Sequence, residues 1–144
     1  MANPASTPRQ RLVVEAERRG ERQLVRDCVR LLSGRDVDPE LIFVLGGAPA
    51  RWAVHGGEPG PDYWLRVWAL RGLLWVWDDT AIPAVLRALS DEAWRVREAA
   101  LKVVRRHHLE TALPTVLKLR ADPTARVSHI ADRTIAALTG SNER

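Results

Sequence analysis

Tryptophan and arginine side chains recur in the middle of the chain at a spacing suited to binding a ligand. Trp64, Trp68 and Arg71 stand at positions i, i+4 and i+7, which places them on one stripe of a helix. Trp75 extends this stripe, and Trp94 opens a later helix. Aromatic side chains mixed with arginine are typical of binding hot spots, so the stripe predicts recognition of a partner. A second interpretation stays open, in which each tryptophan only covers a neighbouring helix.

Residues that could act in catalysis are few. Asp78 and Asp79 follow Trp77 directly, an arrangement that could place a catalytic acid beside an aromatic ring. However, Asp79 also suits an ordinary helix cap. The adjacent His107 and His108 would point about 100° apart on a helix, so they do not chelate one metal ion together. We therefore predict that the chain is not an enzyme and uses no metal or other cofactor.

The glycine and cysteine residues add no further chemistry. The Gly46-Gly47 pair lacks the flanking residues of a phosphate-binding loop, so it predicts only the end of a helix. Cys28, the lone cysteine, lies on an apolar stripe and predicts a small buried side chain in a reducing compartment. The sequence has no signal-peptide pattern and no apolar run of membrane-spanning length. It therefore predicts a cytoplasmic protein that does not bind a membrane.

The elements that position these residues come from a repeat of 31 residues, found by setting Thr80 against Thr111. The identical pairs include Thr80/Thr111, Ala81/Ala112, Pro83/Pro114, Val85/Val116, Leu86/Leu117, Asp91/Asp122, Arg95/Arg126 and Val96/Val127. A period of this length predicts stacked repeats. Residues 49–77 form a third, weaker copy, in which Leu65 and Ala69 match Val96 and Ala100.

Each repeat predicts two short helices. Thr80, or Asp79 before it, can cap the first helix, with Pro83 in its first turn. Asp91 ends that helix and can cap the second. Each helix carries an apolar stripe that it cannot bury alone, so every pair must stack on its neighbours.

This pattern resembles the HEAT repeat, in particular its short bacterial form. The residues that carry the resemblance are Pro83, Leu86, Leu89, Asp91, Val96, Arg97, Ala100 and Val104. It implies an all-α, single-domain fold in which antiparallel helix pairs stack into a right-handed α-solenoid. In HEAT repeats, an Asp that opens the second helix and an Arg six residues later commonly form a ladder between repeats. The residues assigned to this structural ladder are Arg66, Asp91, Arg97 and Asp122, and Ser128 replaces the arginine in the last copy.

The resemblance sets the predicted limits of the domain. We expect a disordered leader over residues 1–8, a repeat domain over 9–138 and a frayed tail over 139–144. The helical layers are predicted at residues 21–45, 49–77, 80–107 and 111–138, with the first helix as a possible cap. The glycine- and proline-rich loop 56–62 could be a spacer or part of a binding surface, and both readings stay open.

In HEAT arrays the second helix of each pair generally lines the concave side. The resemblance therefore implies one contiguous surface that recognises a protein or peptide partner. Its candidate residues are Trp64, Trp68, Arg71, Trp94, Arg95, Glu98, Lys102, Arg105, His129 and Arg133. The sequence leaves the identity of the partner and the oligomeric state open.

The charge distribution makes nucleic acid the second choice of partner. The net charge is +4, but residues 1–35 hold eight Arg against four acids, whereas residues 36–79 hold three Arg against seven acids. A uniformly basic face is therefore not what the sequence describes. The preference for Arg, with only two Lys among 22 basic residues, indicates the coding bias of a GC-rich bacterium. DNA glycosylases built of HEAT-like repeats also resemble the chain in being helical and basic, but no motif carries their residues over.

Overall fold

A computed structural model describes residues 6–140 of the chain. Over that range the chain forms nine α-helices and three 3-10 turns, with no strand, so the prediction of an all-α fold is confirmed. The helices are α1 Pro8–Arg19, α2 Glu21–Leu32, α3 Pro39–Gly46, α4 Trp52–His55, α5 Tyr63–Trp75, α6 Ile82–Ala88, α7 Trp94–His107, α8 Leu113–Leu119 and α9 Ala125–Thr139. The 3-10 turns are Ala48–Ala50, Asp79–Ala81 and Glu110–Ala112. The chain divides after Ala81 into two compact units, called here the first unit and the second unit.

Both ends of the described chain are more ordered than the sequence predicts. Thr7 and Gln10 form a capping box in which each side chain accepts a hydrogen bond from the backbone N–H of the other. Helix α1 therefore begins at Pro8, the last residue of the predicted leader. Residues 1–5 of the predicted leader lie outside the described chain. At the other end α9 extends through Thr139, one residue beyond the predicted limit, and residues 141–144 of the predicted tail are not among those described.

In the first unit the helices pair differently from the prediction. Residues 21–45 were expected to form one layer, but α1 packs on α2, and α3 packs on α1 and α5. The physical reason is Gly20, whose φ of +91° lets the chain turn back within one residue between α1 and α2. Helix α5 packs on α1, α2 and α3, so it is the central helix of this unit.

The core of the first unit is formed by aliphatic side chains from its four longer helices. The fully buried ones include Leu12, Leu24, Val25, Leu41, Leu45, Leu70 and Leu73. Cys28 lies among them, on the inner face of α2 as the sequence predicts. Gly72 of α5 lets the helices approach closely, because a Cβ there would lie 2.8 Å from both Cys28 Sγ and Leu45 Cδ2.

A charged network that the sequence does not reveal ties α1 to its neighbours. The buried Glu15 accepts hydrogen bonds from Arg18 at 2.7 Å and from Arg19 at 2.6 Å. Arg19 also donates to Asp27 of α2 at 2.9 Å and lies 3.5 Å from Asp38, which precedes α3. Burial alone would raise the pKa of Glu15, but the hydrogen bonds and charges of the two arginines outweigh it and lower that pKa.

In the second unit the predicted register is confirmed. The turn Glu110–Ala112 and helices α8 and α9 each begin 31 residues after the turn Asp79–Ala81 and helices α6 and α7. Helix α6 packs on α7, α8 packs on α9, and α7 packs on α9. Matched positions are fully buried in both copies, as the pairs Val96/Val127 and Ala100/Ala131 demonstrate.

The turns that open the second helices are also equivalent. The carboxylate of Asp91 accepts from the N–H of Ala93 at 2.9 Å, and that of Asp122 accepts from the N–H of Thr124 at 2.9 Å. The turn before α6 differs from the prediction. Its cap is Asp78, which accepts from both the backbone N–H and the hydroxyl of Thr80.

None of the helices in the described part of the chain is both long enough and apolar enough to span a membrane.

Candidate partner-binding site

A groove runs along the first half of α5 in the first unit, and we call it the α5 groove. Its volume is about 790 Å³, within the range of about 300–1,000 Å³ that is usual for ligand pockets. Its walls come from the end of α3 with the segment after it, from the loop before α5, and from α5 itself. The lining residues are Gly46, Pro49, Trp52, Pro59, Gly60, Pro61, Asp62, Trp64, Leu65, Trp68 and Arg71.

Two tryptophans form the aromatic part of this lining. The rings of Trp64 and Trp68 stack with their centroids 6.3 Å apart and their planes 24° apart. Trp64 is half-buried and also contacts the ring of Tyr63 at 5.3 Å. Trp68, a candidate for the partner-binding surface, is only 5% exposed, so the alternative interpretation, that it packs on neighbouring helices, describes it better. It is a core residue that lines the groove, whereas Trp64 has the surface available for a partner.

The Gly46-Gly47 pair allows the end of α3 to press against this site. A Cβ on Gly46 would lie 2.7 Å from the ring of Trp68 and 2.6 Å from Ala50. Gly47 adopts a φ of +69°, and a Cβ there would lie 2.9 Å from the guanidinium of Arg11. The pair therefore ends the helix, as predicted, and also makes room for Trp68 and Arg11.

Two arginines bind the main chain at the same helix end. Arg11, which is buried, donates from Nε to the carbonyl of Val44 at 2.8 Å and from Nη1 to that of Ser6 at 2.5 Å. Arg71 donates from Nη1 to the carbonyl of Leu45 at 3.4 Å. These positive charges lie at the negative end of the α3 dipole.

The charges of these two arginines are not neutralised by a carboxylate of the described chain, because neither forms an ion pair there. Burial lowers the pKa of both guanidinium groups, and the charge of Arg71 lowers that of Arg11 further. The α5 groove therefore has an uncompensated positive charge at Arg71, with a second one behind it.

The loop before α5 contributes to the site. Pro59, Gly60 and Pro61 line the groove together with Asp62, and Gly60 lies next to Trp64, since a Cβ there would be 3.9 Å from that ring. Two prolines restrict the backbone of this wall. Of the two interpretations of the loop, its position favours a part in binding, and that part is a proposal.

In the second unit, several of the predicted site residues lie around Trp94. The guanidinium of Arg95 lies 4.4 Å from the ring centroid of Trp94, and that of Arg126 lies 5.6 Å from it. Arg126 also donates to Glu98 at 3.0 Å. Glu98 is only 8% exposed, so it acts here as the partner of Arg126. Arg126 was not among the predicted site residues, although the 31-residue register aligns it with Arg95.

The remaining predicted residues of this unit continue the same faces of α7 and α9. Lys102, Arg105, His129 and Arg133 are exposed, and none of them forms an ion pair within the described residues. Glu98 and Lys102 occupy the positions of His129 and Arg133 in the register, so the four lie on equivalent faces of two helices that pack together. We call Arg95, Lys102, Arg105, Arg126, His129 and Arg133 the basic face.

The ladder residues have structural partners. Arg97 donates to both carboxylate oxygens of Asp122, at 2.8 and 3.1 Å, and to the carbonyl of Asp91 at 2.8 Å. This is the kind of contact between repeats that the ladder describes. In the first unit Arg66 lies 3.8 Å from Asp62, and its part in the ladder stays a prediction.

Asp78 and Asp79, the two acids considered for catalysis, accept local hydrogen bonds in the turn before α6. The hydrogen bonds from Thr80 lower the pKa of Asp78, whereas a general acid at neutral pH needs a raised one. Asp79 accepts from the indole N–H of Trp77 at 3.1 Å. Over residues 6–140 there is no cluster of three or more His, Cys, Asp or Glu side chains that could hold a metal ion.

Comparison with known proteins gives one family. A family model described as HEAT repeats matches residues 58–136, more than half of the chain. No curated protein and no solved structure matches the chain.

Proposed function

The chain belongs to the HEAT-repeat family, and we propose that it is a non-catalytic module that binds a protein or peptide partner in the α5 groove. HEAT repeats commonly serve as scaffolds for protein interactions and are generally not catalytic. The proposal assigns Trp64 and Arg71 as anchors that contact the partner. Trp68 supports Trp64 from the core.

The stacked pair of Trp64 and Trp68 beside Arg71 is the observation that carries this proposal. A half-buried tryptophan on a rigid helix offers a large apolar surface at a small cost in side-chain entropy. Tryptophan and arginine are also the residues most enriched among binding hot spots. In the α5 groove they lie in a cavity that is large enough for several side chains of a peptide.

A peptide-display selection with the full chain as bait tests the proposal. We expect the recovered peptides to lose affinity by about 5- to 30-fold for the variant Trp64→Ala, which corresponds to about 1–2 kcal/mol. Thermal melting of the variant must show that it still folds. The matched comparison is Trp94→Ala, which removes a tryptophan of the second unit that Arg95 and Arg126 already cover. If every recovered peptide binds Trp64→Ala and the unchanged chain equally well, the proposal is wrong.

A second candidate function is binding of nucleic acid by the basic face of the second unit. Its support is the set of mostly exposed cations on α7 and α9, where the acids are the largely buried Glu98 and Asp132, which pairs with Arg120. The measurement is the fluorescence anisotropy of a labelled DNA duplex at salt concentrations from about 50 to about 200 mM. Over this range, binding that depends on phosphate contacts weakens steeply. A steep loss that Lys102→Ala and Arg133→Ala reduce would support this function. Salt-independent binding, or none, would exclude it.

A further inference from the structure

We infer that the α5 groove takes an extended peptide segment whose acidic side chain pairs with Arg71, three residues away from an apolar side chain that packs on Trp64. This inference rests on the proposed function and specifies the chemistry of its ligand. It commits to an aspartate or glutamate within a partner chain.

The guanidinium of Arg71 forms no ion pair with a carboxylate of the described chain. A guanidinium has five N–H donors, and the contact that Arg71 makes is one long bond of 3.4 Å to the carbonyl of Leu45. None of its remaining N–H groups donates to a carboxylate of the described chain. A carboxylate is the group that fits a guanidinium with two parallel hydrogen bonds, and partial burial strengthens such a pair.

The charged side chains differ between the two ends of the α5 groove. Asp62 lines the groove at the start of the helix and lies 3.8 Å from Arg66, so an acidic ligand group at this end would compete with Asp62 for that cation. Arg71 stands two turns further on. Beyond it the exposed guanidinium of Arg9 lies 5.0 Å from the ring centroid of Trp75. The positive charge therefore continues past Arg71, so the acidic group of the ligand is expected at this end of the groove.

The separation of Trp64 and Arg71 along α5 sets the spacing of the ligand side chains that contact them. Trp64 and Arg71 are seven residues apart on one stripe of α5, and a rise of 1.5 Å per residue separates them by roughly 10 Å along the axis. A chain extended as a polyproline helix rises about 3.1 Å per residue with three residues per turn, so side chains three residues apart span about that distance on the same side of the chain. An apolar side chain on Trp64 therefore places an acidic side chain three positions away at Arg71.

The experiment measures the binding of three blocked peptides to the full chain by calorimetry. The first is acetyl-Ser-Leu-Pro-Pro-Glu-Ser-amide, in which two prolines hold the chain extended, and the other two carry Gln or Lys in place of Glu. We expect the Glu peptide to bind at least about tenfold more tightly than the Gln peptide, because a charge-assisted pair replaces a neutral one. The Lys peptide should bind most weakly.

Variants of the protein assign that preference to one residue. In Arg71→Gln the Glu and Gln peptides should bind equally, and in Arg71→Glu the Lys peptide should bind most tightly. The matched control Arg105→Gln removes an exposed arginine of the second unit and should leave the tenfold preference unchanged. Thermal melting checks that each variant folds.

The outcomes separate this inference from the proposed function. Equal binding of the Glu and Gln peptides to the unchanged chain would overturn the inference. Tighter binding of acetyl-Ser-Leu-Pro-Pro-Gly with a free C-terminus would overturn it in favour of a terminal carboxylate. Display-selected peptides that depend on Trp64 but contain no acidic residue would overturn it and leave the proposed function intact. If the binding of no selected peptide depends on Trp64, both the inference and the proposed function are wrong.

Discussion

Arg97 and Asp122 form a bidentate ion pair that joins one helix hairpin of the second unit to the next. The guanidinium donates from Nε and Nη2 to the two carboxylate oxygens at 2.8 and 3.1 Å. The side chains are only 14% and 4% exposed, so this pair is far better shielded from water than an ordinary surface ion pair. Arg97 also donates to the carbonyls of Asp91 and Glu92, and thus holds the turn before its own helix.

Removing the charge of Asp122 should destabilise the protein at neutral pH. The substitution Asp122→Asn keeps a side-chain oxygen for the N–H of Thr124 but leaves Arg97 without its counter-charge. We expect the free energy of unfolding to fall by about 2–3 kcal/mol at pH 7, measured by urea denaturation. The exposed pair of Arg120 and Asp132 provides the control, because Asp132→Asn should cost less than about 1 kcal/mol.

The cost of Asp122→Asn should also depend on pH. Burial alone would raise the pKa of Asp122, but the hydrogen bonds from Arg97 and Thr124 outweigh it and lower that pKa in the folded protein. The stabilisation is therefore fully present above the unfolded pKa and is lost as the pH falls through the lower, folded one. We expect the difference between the two proteins to shrink as the pH falls below about 4, the usual pKa of an aspartate in an unfolded chain. A difference that stays constant from pH 7 to pH 2 would contradict this role of the pair.

Gly72 should resist replacement although it lies inside a helix. In an exposed helix Gly→Ala gains about 1 kcal/mol, but a Cβ on Gly72 would lie 2.8 Å from Cys28 Sγ and from Leu45 Cδ2. We therefore expect Gly72→Ala to lower the free energy of unfolding by about 2 kcal/mol, because the core is overpacked. In a double-mutant cycle, Cys28→Ala should relieve part of that cost, with a coupling of at least about 0.5 kcal/mol. Purely additive effects would show that the two sites do not touch.

Cys28 should be chemically inert in the folded protein. Its side chain is fully buried, and burial raises the pKa of the thiol to about 12. We expect no reaction with a disulfide reagent such as DTNB at pH 8 under native conditions, and release of one thiol equivalent per chain in urea. Rapid reaction of the native protein would mean that α2 opens readily from the first unit.

His108 is a site where glycine should stabilise the protein. It ends α7 in the left-handed conformation, with φ +54° and ψ +55°, which costs a residue with a Cβ about 1–2 kcal/mol. His108→Gly should therefore raise the free energy of unfolding by about 0.5–1 kcal/mol, after the added flexibility of the unfolded chain is counted. The control His107→Gly, within the last turn of the helix, should lower it by a similar amount. Destabilisation by both variants would indicate that the contact of the His108 imidazole with the Glu110 carboxylate, at 3.3 Å, outweighs the strain.

The second unit could be predicted from the sequence in detail because its information is local and repeated. Pro83 and Pro114 lie in the first turn of the first helix of each repeat, and Asp91 and Asp122 precede the second helix. The apolar stripes of the two repeats keep the same 31-residue register. Each copy supports the interpretation of the other. The bounds of α6 to α9 therefore follow the 31-residue register closely.

The first unit could not be predicted to the same depth, because its decisive contacts join residues far apart in sequence. Arg11 binds the carbonyl of Val44, 33 positions away, and no local pattern signals that contact. The α5 helix is apolar on nearly every side, so periodicity alone could not assign Trp68 to the core. The groove depends on Gly46, whose missing Cβ acquires meaning only when the ring of Trp68 is placed beside it.

The location of the bound partner tests the central claim most directly. The measurement is the change in the six tryptophan indole N–H signals of the ¹⁵N-labelled chain when a display-selected peptide is added, with each signal assigned from a single Trp→Phe variant. If the α5 groove is the binding site, the signal of Trp64 shifts most and that of Trp94 stays in place. A shift at Trp94 with no change at Trp64 would contradict the account.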